Sequence, residues 1–144
     1  MNIEKIDELL EKPCYIIDFL PQQVPEQAPD NFYEVENYLL NEYERYGLKD
    51  KYIKIILKVM CYYRITVQWD GWIENPSPEK IADIIDTIMK NHSGWVDIVL
   101  PDKDVLIQFE WDCLHMSVYN PDDEMCKLFE QIAFSEGMFW RKGA

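Results

Sequence analysis

Two side chains in the sequence titrate near neutral pH without help from their surroundings, His92 and His115, so acid–base chemistry has to begin at one of them. The richer neighbourhood is that of His115. The run Glu110-Trp111-Asp112-Cys113-Leu114-His115-Met116-Ser117 holds a thiol, an imidazole, a hydroxyl and two carboxylates. On an extended strand Cys113, His115 and Ser117 share one side, and a tight turn would fold Glu110 and Asp112 back towards them. Those are the parts of an activated cysteine: a nucleophile, a base, and a carboxylate that orients the base. The spacing itself argues for caution in chemistry, because alternate residues on a strand stand about 7 Å apart along the backbone, and no family signature surrounds the cysteine. The plainer reading of the same residues is a polar strand face. His92 follows a helical pattern that ends near Asn91, where an imidazolium interacts well with the helix dipole, so its expected role is capping.

Other chemistries lack their parts. The five glycines are scattered and form neither G-x-x-x-x-G-K nor G-x-G-x-x-G, so no nucleotide or other cofactor is expected. Cys14, Cys61, Cys113 and Cys126 form no C-x-x-C pair, and Asp102-Lys103-Asp104 lacks the further oxygens and the glycine of a calcium loop, so no metal is expected either. The four cysteines read as free thiols serving as small core hydrophobes.

A second constellation is aromatic and acidic. Five tryptophans, at 69, 72, 95, 111 and 140, cannot all point into one core from alternate strand faces. Trp72 stands just after Asp70-Gly71 and just before Glu74, in a hairpin or loop where nothing obliges burial. An exposed tryptophan ringed by Asp70 and Glu74 has the composition of a protein-binding anchor. The competing reading is that Trp72 folds back to cover one end of the core.

Net charge decides which partners suit such a surface. With 27 Asp and Glu against 14 Lys and Arg, the chain carries −13. Nucleic acid repels it, since affinity for phosphates comes from Lys and Arg releasing counterions, and anionic lipid is disfavoured for the same reason. No apolar run approaches the roughly 20 residues of a membrane span, and the acidic opening Met1 to Lys12 lacks the apolar run of a secretory signal. A cytoplasmic protein is the expectation. A length of 144 residues, 48% of them apolar and 14% aromatic, fits one packed domain over 1–144.

The elements that must position these residues follow from periodicity. A short amphipathic helix opens the chain and ends at Pro13, and a buried strand follows over Cys14 to Phe19. Pro21, Pro25 and Pro29 space out an extended loop. Helices are expected from Phe32 to Tyr46 and from about Lys49 to Cys61, the second with Lys49, Lys51, Lys54 and Lys58 as the one basic face. Ser77 caps and Pro78 opens a further helix, with Ile81, Ile84, Ile85, Ile88 and Met89 on its buried stripe. Strands are expected over 64–69, 95–100, 104–110, 114–118 and 138–141, with a turn at 111–113 where the apolar phase slips. Asn120 and Pro121 open a last helix. The class is α+β: about four helices packed on one face of a mainly antiparallel sheet.

The segment Tyr15-Ile16-Ile17-Asp18-Phe19-Leu20-Pro21-Gln22-Gln23-Val24-Pro25, followed by Phe32-Tyr33-Glu34-Val35-Glu36-Asn37-Tyr38, resembles the start of a group of small uncharacterised proteins from low-GC Gram-positive bacteria. The resemblance covers the first third of the chain. It implies a bacterial, cytoplasmic protein and transfers no site residue.

Two functions from different classes survive. One is an acidic, non-enzymatic protein-interaction module, of which an immunity- or antitoxin-type inhibitor of a basic partner is one form. The other is a small enzyme with a Cys/His site around Cys113 and His115, assisted by Glu110 or Asp112. Self-association through a free strand edge is compatible with either.

Overall fold

Local signals form the helix after Ser77 as the sequence announces it. In the computed structural model, which describes residues 3–26, 31–112 and 114–143, this helix is α4 (Pro78–Asn91). Ser77 Oγ accepts a hydrogen bond from the Lys80 amide at 3.1 Å, Pro78 takes the first helical position, and the five expected apolar residues are all buried. His92 ends it in a left-handed conformation (φ 52°), and its ring stacks on Trp111 at 4.3 Å. The other helices are α1 (Ile3–Leu9), α2 (Asn31–Asn41), α3 (Leu48–Met60) and α5 (Asp123–Ser135).

Two helix ends differ from the reading of the sequence. The second helix stops at Asn41 rather than near Tyr46. The Asn41 side chain donates to the Asn37 carbonyl at 2.8 Å, competing with the backbone for it, and turns carry the chain on to Gly47 at φ 70°. The last helix is capped by Asp122, whose carboxylate accepts from the Met125 amide at 2.8 Å. Asn120 instead has φ 69° and donates from its side chain to the Asp104 carbonyl, which ties two loops together.

Seven strands, β1 (Cys14–Asp18), β2 (Thr66–Gln68), β3 (Trp72–Glu74), β4 (Trp95–Leu100), β5 (Val105–Glu110), β6 (His115–Tyr119) and β7 (Phe139–Lys142), make one sheet in the order β3-β2-β4-β5-β6-β1-β7. Every pairing is antiparallel. The fold is therefore α+β. Asp70 and Gly71, both at positive φ, turn β2 into the short strand β3, which periodicity leaves as loop because three residues are too few to show alternation.

Strand alternation sorts the sheet into two faces. Val96, Ile98, Ile107, Phe109, Met116 and Val118 point to the first face and join buried residues of α2, α3, α4 and α5 in the main core. Val99 and Leu106 point the other way and are covered by Ile6 and Leu9 of α1. Five helices are thus present rather than about four, and they do not all lie on one face. Apolar residues of both parities on β4 and β5 are the cause, since each apolar face needs its own cover. The expected basic face of α3 is partly used internally, with Lys49 paired to Asp86 at 2.9 Å and Lys58 to Glu136 at 2.6 Å. Among the described residues no helix is long and apolar enough to cross a membrane.

Candidate functional site

The α1 helix seals only the Val99/Leu106 end of the second sheet face. At the other end, one row of side chains runs across four adjacent strands: Trp95 stands opposite Glu110, Asp18 stands opposite His115, and Glu110 and His115 follow the last registered pair of β5 and β6, Phe109 and Met116. At the usual strand spacing of about 4.8 Å the row spans about 14 Å. Exposed and buried polar groups converge along it.

At one end of the row lies a shallow concavity of about 300 Å³ lined by Ile3, Trp69, Asp70, Trp95 and Asp97. Trp95 is 59% exposed, yet its indole N–H donates to Asp97 Oδ2 at 3.3 Å. Asp97 is itself buried, and its Oδ1 accepts from Gln108 Nε2 at 2.7 Å. A buried carboxylate thus fixes an exposed tryptophan from below.

A cavity of about 370 Å³ closes the other end, bounded by Asp18, His115, Arg141, Phe32, Tyr33 and Glu36 among others. Asp18 Oδ2 accepts from Arg141 Nη2 at 2.9 Å, and the two side chains are only 10% and 19% exposed. Asp18 Oδ1 also accepts weakly from the Leu20 amide. Burial holds the His115 imidazole below its ordinary range; Asp18 opposes this, and Arg141 reinforces it. Burial raises the Glu36 carboxyl, and the nearby charges of Asp112 and Asp18 add to the effect. Glu110 is raised by burial, then by Asp112 and Asp97. Phe32 and Tyr33 meet edge to face at 5.5 Å on the α2 side of this cavity.

The residues singled out by sequence fall as follows. Glu110 and His115 follow the Phe109–Met116 pair on neighbouring strands, and the charge of Asp112 acts on both. Cys113, the nucleophile of the enzyme reading, lies outside the described residues. Cys14 and Cys126 are partly buried free thiols that burial pushes up, which disfavours the reactive thiolate, and Cys61 is exposed rather than in the core. Asp70 and Glu74 are exposed, but Trp72 between them is half-buried against the α1 cluster. The tryptophan left open is Trp95. Sequence reasoning passes over Trp95, Asp97, Asp18, Arg141 and Glu36; only Asp18 carries a local signal, a charge inside an otherwise apolar strand.

Arg141 engages one oxygen of the Asp18 carboxylate, which also acts through its charge on His115 across the strand pair. Among the described residues no group of His, Cys, Asp or Glu is placed to hold a metal ion. The expected pH response follows from His115. Its folded-state value is depressed, so the unfolded chain binds the proton first as pH falls below about 6.5, and stability drops across the interval down to the folded value. Urea midpoints at pH 7 and pH 5.5 should therefore differ less in His115→Asn than in the wild type; an identical pH slope in both would show that His115 is not the group responsible.

No protein-family model matches the chain, and neither curated proteins nor solved structures provide a significant match to it.

Proposed function

We propose that the protein is an acidic, non-enzymatic interaction module that holds a basic protein partner against the open half of its second sheet face. The observation that carries this reading is Trp95: a large apolar side chain exposed to solvent, yet immobilised by a buried aspartate and flanked by Asp70 and Glu110. An anchor ordered in advance loses little side-chain entropy on binding, and aromatic anchors dominate protein interfaces. The net charge of −13 on the chain as a whole steers a cationic surface towards the protein. An inhibitor of immunity or antitoxin type, which masks the basic cleft of its target, is the specific form that this charge favours.

The test is capture by the immobilised protein from lysate of its source organism at about 0.1 M and about 1 M salt, where the Debye length shrinks from about 10 Å to about 3 Å. A basic protein retained at low salt and released at high salt is expected. Trp95→Ala should weaken its retention by about 2 kcal/mol or more, some thirtyfold, at unchanged thermal stability. Capture that ignores both salt and Trp95, or no capture at all, overturns the proposal.

A further inference from the structure

We infer that the cavity between β1, β6, β7 and α2 receives an arginine side chain of the protein partner, with Glu36 as its carboxylate and the Phe32/Tyr33 pair as its aromatic wall. This rests on the interaction reading above and assigns to it a second contact, at the far end of the row that begins at Trp95.

The charge balance of the cavity is the first argument. Among the described residues Asp18, Glu26 and Glu36 line it against one permanent cation, Arg141, and that cation is engaged by Asp18. Burial lowers the His115 imidazole and so disfavours its charged form. Among the described residues no Lys or Arg nitrogen lies within ion-pair distance of Glu36, although the residue is half-buried. A partly desolvated carboxylate without a counterion gains most from a cation brought by a ligand.

Shape and wall chemistry narrow the class of cation. A metal ion would need several His, Cys, Asp or Glu ligands gathered around one point, and no such group exists among the described residues. Tyr33, 70% exposed, stands at the rim with Phe32 behind it. A guanidinium is flat, weakly hydrated, stacks on aromatic faces and offers paired donors to a carboxylate, whereas an ammonium is a strongly hydrated point charge. Position supplies the last argument. Asp18 and Trp95 are separated by three strand spacings on one sheet face, so a single partner surface can seat an apolar group over Trp95 and an arginine in the cavity.

The full chain is to be titrated with an arginine-centred tripeptide blocked at both ends, followed through the NMR signals of His115 and Tyr33. The citrulline-centred peptide, uncharged but of the same shape, the lysine-centred peptide and spermidine serve as comparisons. Saturable shifts with the arginine peptide, at least tenfold weaker with citrulline, are expected. Glu36→Gln should abolish them and Glu36→Asp should keep part of them. Because Glu36→Gln removes a desolvated charge, it should raise the thermal midpoint, so its loss of binding is not a loss of fold. In the capture experiment it should weaken retention of the basic protein by about tenfold. If the peptide leaves these signals unmoved, or if spermidine or the citrulline peptide binds as well as arginine does, the inference fails. Retention that depends on Trp95 and salt but not on Glu36 defeats the inference and leaves the interaction reading standing. Peptide binding without any captured protein defeats both, since the proposed occupant is a partner's side chain.

Discussion

Asp18→Asn is expected to lower stability by about 3 kcal/mol, the low end of the usual loss when one partner of a buried ion pair is removed. The Arg141 guanidinium would then keep its charge with no carboxylate against it, in a position where its Nε already has no hydrogen-bond partner among the described residues. Burial is what makes the loss large. The exposed Arg64–Asp102 pair has equally good geometry, at 2.9 Å, yet its loss should cost under about 1 kcal/mol because water screens and replaces it. The pair also joins the edge strand β7 to β1 across residues 123 positions apart, so the damage should appear first as fraying of Phe139 to Lys142. Replacing both partners, Asp18→Leu with Arg141→Met, should restore stability to within about 1 kcal/mol of the wild type. Denaturant midpoints for the two variants decide the matter: a double variant as unstable as Asp18→Asn would mean that the pair contributes more than it costs to bury. A stable double variant would mean that the charges are held for something other than stability, as a cavity that must stay polar requires.

How far sequence reaches can be judged from particular residues. The isoleucines of α4 report only on the period of their own helix and on a Ser-Pro start that is chemically decisive, and both are local. The turn after Glu110 is equally local, since apolar residues that move from odd to even positions between 111 and 114 require a turn or a bulge there. The placement of α1 is not local. Ile6 and Leu9 declare an apolar stripe, but which sheet face receives it depends on Val99 and Leu106 lying side by side on β4 and β5. The site fails to show for the same reason. His115 is conspicuous by its residue type, but its companions come from β1, α2 and β7, and no spacing rule links them. Trp72 and Trp95 are indistinguishable by composition, each beside acidic residues and a glycine. Only the course of α1 over the sheet buries part of one and leaves the other open.

The two cores should answer mutation differently. Phe109 is fully buried on a central strand, packed against Tyr52 with ring centroids 4.9 Å apart, and Phe109→Ala should cost about 4 kcal/mol through lost transfer energy and the cavity left behind. Against a total stability of about 5–15 kcal/mol, that brings the whole domain close to unfolding, seen as one cooperative transition at much lower denaturant. Leu9 is just as buried, but it belongs to a seven-residue helix that touches the sheet through the small second cluster. The stability lost through Leu9→Ala cannot exceed what docking of α1 contributes, because beyond that point the helix detaches and the sheet remains closed by its main core. The expected result is fast amide exchange over Ile3 to Leu9 with a small shift in the global midpoint. A global shift as large as that of Phe109→Ala would show instead that both faces fold as one unit. Since Ile3 of α1 helps to line the concavity under Trp95, detachment should also loosen that anchor. Weakened capture of the basic partner by a Leu9→Ala protein with its main core intact would then connect the second cluster to binding rather than to folding.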